Sequence, residues 1–234
     1  MFISKLNFMK ALFFVLKGLF IIIFPLVLIV IASDIVIKTP FIYEYDYWKY
    51  DISEKTNLDI RTLREVGKTI RDYFDNDSEY LLIETTINNE INSLYNKREI
   101  EHMKDVKGLI SLIENTGLIL GVFLIIFPIF LLFVSSEWKK QLLLLILLSG
   151  VFSILIIILI LILFLFFFDY LFILFHEISF SNDLWILNPE KDYLIMMFPE
   201  NFFRDAAYAI GLVSIIEFLL VYFISKYFLD IKIR

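Results

Sequence analysis

Residues 141–168 read QLLLLILLSGVFSILIIILILILFLFFF, 28 positions without one acidic or basic side chain. Few folds accommodate such a run. About 20 mostly apolar residues cross a bilayer as an α-helix, and a helix satisfies its own backbone N–H and C=O groups where no water reaches them. Stretches 11–33, 117–136 and 206–224 are also long and apolar enough. The expected fold is therefore an all-α membrane protein with four transmembrane helices. The remaining long segments, 34–115 and 169–205, form a small mixed α/β extracellular cap and its return loop.

Orientation follows from Lys and Arg in the short flanks, which favour the cytoplasmic side. The N-terminal flank holds Lys5, Lys10 and Lys17 and no acid, the 135–141 link holds Lys139 and Lys140, and the tail holds Lys226, Lys232 and Arg234. Residues 34–107 carry 16 acids against 11 bases, and 169–205 carry 7 against 2. Both termini are thus expected in the cytoplasm of a multi-pass cell-membrane protein, with both acidic loops outside. The start has features of a signal peptide, including a small-residue end at Ala32-Ser33. Its apolar stretch runs on both sides of Lys17 and is long for a cleaved leader, so it reads as an uncleaved anchor. The chain has no cysteine, which removes disulfides, thiolate nucleophiles and Cys-built metal sites.

The first outer segment opens with FIYEYDYWKY, where rings fall at 41, 43, 45, 47, 48 and 50. Near-alternate spacing predicts an extended strand with one ring-rich face. It serves either as an interfacial aromatic belt or as a wall against lipid or glyceryl groups, with Tyr43, Tyr47 and Trp48 as candidate substrate contacts. Leu58, Ile60, Leu63, Val66, Ile70, Tyr73 and Phe74 recur at helical spacing and predict an amphipathic helix over 58–74. YLLIETTINNEINSLY predicts a hairpin turning at Asn88-Asn89. Asn96 followed by Glu99 has the pattern of a capping box, so a helix starts near 97 and runs on towards the second span. On it, His102 shares a side with Asp105, Val106 and Leu109 and lies off the main apolar stripe. In the second segment a turn is expected at Asn188-Pro189-Glu190, and Pro199-Glu200 opens the last helix.

The two histidines, His102 and His176, are the only ones in the chain. Both fall in the outer segments, near a span and beside carboxylates. Two imidazoles can divide acid–base work, one accepting a proton while the other donates. Rival chemistries have less behind them. There is no G-x-S-x-G elbow to present a serine, and no Gly-rich turn presents Ser179. His102 and His176 with carboxylates could make a metal site, yet no H-E-x-x-H is present. Only seven glycines occur in the whole chain, too few to suggest a phosphate cradle. Glu217, inside the fourth span, reads as a packing or polar-pair residue. No cofactor, metal or nucleic acid is expected.

EIEHMKDVKGLI together with LFHEISFSNDLWILNPEKDYLIMMFPENFF resembles the bacterial integral membrane family that includes the lipoprotein intramolecular transacylase. The resemblance extends over most of the chain and includes both histidines. It implies four transmembrane helices under an extracellular cap, and a diacylated lipoprotein in the outer leaflet, with membrane lipid, as partners. It further implies transfer of the sn-2 acyl chain of a diacylglyceryl-cysteine to the α-amine of the same cysteine, giving the lyso form. His102 and His176 carry over as catalytic, working without a covalent acyl-enzyme. Asp105, Asn182, Asp183, Trp185 and Glu200 are the supporting candidates, and Phe175 and Phe180 join Tyr43, Tyr47 and Trp48 as substrate contacts. A reading from another class stays open: a non-enzymatic membrane protein that binds lipid or peptide through the ring-rich cap.

Overall fold

The computed structural model describes residues 2–87 and 90–230. In chain order the elements are α1 (Phe2–Lys38), α2 (Pro40–Lys49), α3 (Ile52–Thr56), α4 (Ile60–Asp75), β1 (Glu84–Ile87), β2 (Glu90–Ser93), α5 (Lys97–Val134), α6 (Trp138–Ser179), α7 (Tyr193–Met197) and α8 (Glu200–Asp230). Helices α1, α5, α6 and α8 are long and apolar enough to cross a membrane, and the only sheet among the described residues is the two-stranded β1–β2 ladder. The fold class expected from composition is the one observed. Contacts sort the chain into two compact units: Met1–Ser33, Glu114–Leu161 and Ile210–Arg234 in one, Asp34–Ile113 and Ile162–Ala209 in the other.

The first unit is built of rings and small residues. Phe20, Phe24, Leu28, Phe127, Leu131, Leu145, Ile146 and Phe218 form its buried cluster. The Phe218 ring fills the space that a Cβ at Gly150 would take, and Val30 does the same at Gly117. Apolar helices in lipid associate through such close packing, because lipid tails offer no hydrophobic gain for helix pairing. Ser153 is fully buried and donates its hydroxyl to the Ser149 carbonyl at 2.7 Å, which spares a polar atom in an apolar setting.

The second unit holds the polar segments. Helix α4 buries Leu63, Val66, Ile70 and Tyr73, spaced three and four apart as the amphipathic pattern requires. Its N-cap is Asp59, whose carboxylate accepts the Thr62 N–H at 2.7 Å. Gly67 on the same helix lies against the Tyr47 hydroxyl, which a Cβ there would meet at 2.7 Å. The β1–β2 ladder is antiparallel, with Glu84 opposite Ser93 and Ile87 opposite Glu90; the expected turn at Asn88-Asn89 lies outside the described residues. The capping box forms as expected: the Asn96 side chain accepts the Arg98 and Glu99 N–H groups at 2.9 and 3.2 Å, and the Glu99 carboxylate accepts the Asn96 N–H at 2.7 Å. Helix α8 opens after Pro199, also as expected.

One element differs from expectation. The ring-rich segment is helix α2, not a strand. Thr39 is extended and Pro40 occupies the first turn, where its fixed φ suits a helix start and its missing N–H costs no bond. Ile42, Tyr43, Asp46 and Tyr47 then face inward, while Phe41, Tyr45 and Trp48 point out. The rings at odd positions therefore lie on two opposite faces of a helix. Alternation alone did not distinguish the two geometries.

Candidate active site

His102 sits in the second turn of α5 and His176 in the last turn of α6. Although 74 positions separate them in sequence, their ring centroids are 6.2 Å apart, inclined at 34°. Each is only 7% exposed. The off-stripe placement read for His102 understates its burial, because the 176–185 segment covers that side. Phe180 stands edge-on to His102 at 5.2 Å and lies 5.7 Å from His176. Trp185 stacks on His176 at 4.9 Å and 30°. Phe172 and Phe175 pack on the same imidazole at 4.4 and 5.3 Å. The pair thus occupies a nearly closed shell of rings.

Helix geometry assigns a tautomer. The Nδ1 atom of His176 lies 2.7 Å from the Phe172 carbonyl, one turn back in α6. A carbonyl only accepts, so Nδ1 carries the hydrogen and Nε2 keeps the lone pair in the neutral ring. His102 differs. Its Nδ1 is buried and has no hydrogen-bond partner. One imidazole is held in a fixed orientation with a free basic nitrogen, and four aromatic side chains, Phe172, Phe175, Phe180 and Trp185, surround it. The other offers a nitrogen that nothing in the protein uses.

The supporting candidates divide. Trp185 is in direct contact with His176 and donates its indole N–H to the Asn182 carbonyl at 3.1 Å. Asp105 is paired with Asn182, whose amide donates at 2.8 Å, and neither hydrogen-bonds an imidazole. Asp183 faces Arg98, which donates to its backbone carbonyl and approaches its carboxylate at 3.6 Å. Glu200 opens α8 and makes no hydrogen bond to either histidine. Of the expected substrate contacts, Phe175 and Phe180 border the pair. Tyr43 and Tyr47 are buried against Phe198 and, for Tyr43, Phe202; burial pushes the Tyr43 phenol up to about 12, against the pull of Arg71. Trp48 is 75% exposed on the opposite face of α2.

Two features were not anticipated. Phe172 anchors His176; its place four residues earlier on one helix was the available signal. The first turn of α5 also clamps the 182–197 segment. Glu99, 1% exposed, accepts the Leu194 N–H at 2.7 Å as well as closing its capping box. The Asn96 amide donates to Asp192 at 2.9 Å, and the Tyr95 hydroxyl meets the Met197 sulfur at 3.6 Å. No local pattern in the sequence marks these contacts. Among the described residues, no three His, Asp or Glu side chains converge as a metal-ligand set.

Residues 18–203 match the model of the family described as lipoprotein intramolecular transacylase Lit. The fold matches the solved structure of the membrane-integral lipoprotein intramolecular transacylase Lit from Bacillus cereus with a TM-score of 0.77, at 21% identity, over 95% of this chain and 98% of that one. A variant of that protein with a histidine replaced by arginine matches with a TM-score of 0.74 at 21% identity, over 99% and 98% of the two chains. An alanine variant matches with 0.76 at 21% identity, over 97% and 98%. A search of curated proteins finds no match.

Proposed function

This chain belongs to the lipoprotein intramolecular transacylase family, as a multi-pass membrane acyltransferase whose partners are lipoproteins, and from that premise we propose that His102 and His176 carry the transfer. The observation behind this is the approach of two buried imidazoles to 6.2 Å inside one shell of rings. The substrate is a diacylglyceryl-cysteine with a free α-amine. The amine nitrogen attacks the sn-2 ester carbonyl carbon, the bond from that carbon to the sn-2 oxygen breaks, and an amide forms beside a free sn-2 hydroxyl. One proton leaves nitrogen and one arrives at oxygen, so the reaction needs no outside reagent.

His176 is the base. Its Nδ1–H is held by the Phe172 carbonyl, which leaves Nε2 to take the amine proton. The imidazolium formed lies under Trp185, and a cation over an indole face is stabilised by about 0.5–2 kcal/mol. His102 is the donor, whose unpartnered side can stabilise the oxyanion and then protonate the departing alkoxide. Nucleophile and ester belong to one molecule, so no acyl-enzyme is required. Holding the two ends together contributes most of the acceleration, since well-oriented intramolecular reactions gain about 7–11 kcal/mol. Phe172, Phe175 and Phe180 keep water from the ester.

The Lys and Arg distribution supports both termini in the cytoplasm and an outer-leaflet substrate, and the apolar runs support spans near 11–33, 117–136, 141–168 and 206–224. Two experiments test this reading. Mass spectrometry of lipoprotein N-termini from cells with and without the chain should show N-acyl, sn-2-hydroxyl cysteine only with it. Cysteines placed at Ser78 and Ser136 should be labelled by an impermeant reagent at 78 alone in intact cells. Labelling at 136 alone would overturn the orientation.

A further inference from the structure

A groove of about 410 Å³ lies between α5 and the end of α6. Asp105, Gly108, Leu109, Leu112, Phe180 and Asn182 are among its walls. Neither imidazole lines it, but one of its walls, Phe180, packs against both histidines. Asp105 and Leu109 follow His102 by three and seven residues, on one helix face, and Phe180 is the ring edge-on to His102 at 5.2 Å.

The lining is ordered along the helix. Asp105 and Asn182 stand at the His102 end and bond each other at 2.8 Å. Gly108, Leu109 and Leu112 follow over roughly 10–15 Å at 1.5 Å per residue, leading towards the apolar run that starts at 117. An occupant with a polar ester at one end and a hydrocarbon tail at the other fits this order. An extended peptide fits poorly, because the backbone donors and acceptors of a helix interior are already bonded to each other. Gly108 is the narrowest side chain in the wall, and a Cβ built there meets nothing within 4 Å.

Resting on the transfer reading above, we propose that this groove seats the sn-2 acyl chain, with its ester carbonyl at the histidine pair, and that Gly108 keeps the groove wide enough for a long chain. The chain length accepted by the enzyme is then set on α5, one to three turns beyond His102.

The test uses the full-length protein in phospholipid vesicles with diacylglyceryl-cysteine lipopeptides bearing palmitoyl or octanoyl at sn-2. Across Gly108→Ala, Gly108→Val and Gly108→Phe, the palmitoyl-to-octanoyl rate ratio should fall stepwise, by about tenfold or more at Phe, the scale on which apolar pockets discriminate size. Leu109→Ala should move the ratio the other way. Gly121→Phe, further along α5 and also in open space, should leave it unchanged. A ratio indifferent to Gly108, or altered equally by Gly121→Phe, overturns the groove assignment. A diazirine at the end of the sn-2 chain gives a readout without turnover. Photolabelling at Leu109, Leu112 or Phe180 supports the groove even if no product forms, in which case the transfer reading fails alone. Labelling elsewhere while wild-type protein makes product sinks the groove and spares the transfer.

Discussion

Glu99 and His102 are three residues apart on α5, both buried, and treated in opposite ways. Glu99 is 1% exposed, and its carboxylate takes the Asn96 and Leu194 N–H groups. His102 is 7% exposed and leaves Nδ1 without a partner. Buried polar groups are nearly always satisfied, since an orphan costs about 1–3 kcal/mol. Satisfaction at Glu99 therefore marks a structural tie, which fixes the segment carrying Trp185 over His176. The open nitrogen at His102 fits the donor role proposed for it. On this view one turn of helix holds the framework and the next holds the chemistry.

The largest expected effect lies on the chemical side. His102→Ala and His176→Ala should each lower sn-2-to-amine transfer by about 10²–10⁴-fold, the usual worth of an acid–base group. The double variant should be scarcely slower than either single one, because members of a cooperating pair do not act additively. Mass spectrometry of product against time decides it. Near-normal rates in both single variants would end the proposed mechanism.

Glu99 should show the reverse signature. Glu99→Ala removes the acceptor of the buried Leu194 N–H and of the Asn96 N–H, and hydrogen bonds to a charged group are worth about 1.5–3 kcal/mol each. The variant should melt markedly lower in detergent. Under conditions where it stays folded, it should lose less activity than either histidine variant. Glu99→Gln, which keeps one carbonyl acceptor, should recover part of the melting temperature. If Glu99→Ala melts normally yet is inactive, the division between framework and chemistry is wrong.

Asp46 sharpens the comparison further, as a fully buried group on α2 whose two oxygens take no hydrogen bond from a donor. Burial, and then the neighbouring Asp205 carboxylate, push it up to about 7, with Lys49 pulling the other way. The sign follows from proton counting. A carboxyl with a raised folded value holds its proton in the native state where the unfolded chain has lost it. Native protein therefore binds more protons between the ordinary aspartate range and about 7, and Asp46 makes stability fall as pH rises through that window. Melting temperature measured from pH 5 to 8 should show this fall, and Asp46→Asn should flatten it. An unchanged slope in the variant would show that Asp46 does not hold the proton.

The smallest effect is expected at Asp105. Its partner is the exposed Asn182 and not an imidazole. Asp105→Asn should change transfer by less than about tenfold, since exposed polar pairs contribute roughly 0–1 kcal/mol. A loss comparable to His102→Ala would place Asp105 in the chemistry instead.

Much of this was open to reading in the chain alone. A 28-residue run without acid or base can only be a spanning helix, and Asn96 with Glu99 marks a helix start because both partners of the capping box lie within one turn. The spacing of Leu63, Val66, Ile70 and Tyr73 likewise identifies α4. These are local facts, encoded within a few residues of where they act. Two histidines beside carboxylates were visible as candidates for the same reason.

What the tertiary structure decided is whatever depends on a distant partner. Tyr43 and Tyr47 make α2 a helix by packing against Phe198, and rings at odd positions are equally compatible with a strand until that partner is known. Glu99 ties itself to Leu194, 95 positions away, and Asp105 turns to Asn182 and not to its neighbour His102. The burial of His102 likewise comes from Phe180. Sequence determined most of the elements, α2 excepted, because helix periodicity and turn chemistry act at short range. The site needed the fold, because which polar groups are satisfied and which are left open depends on contacts between segments nearly a hundred residues apart.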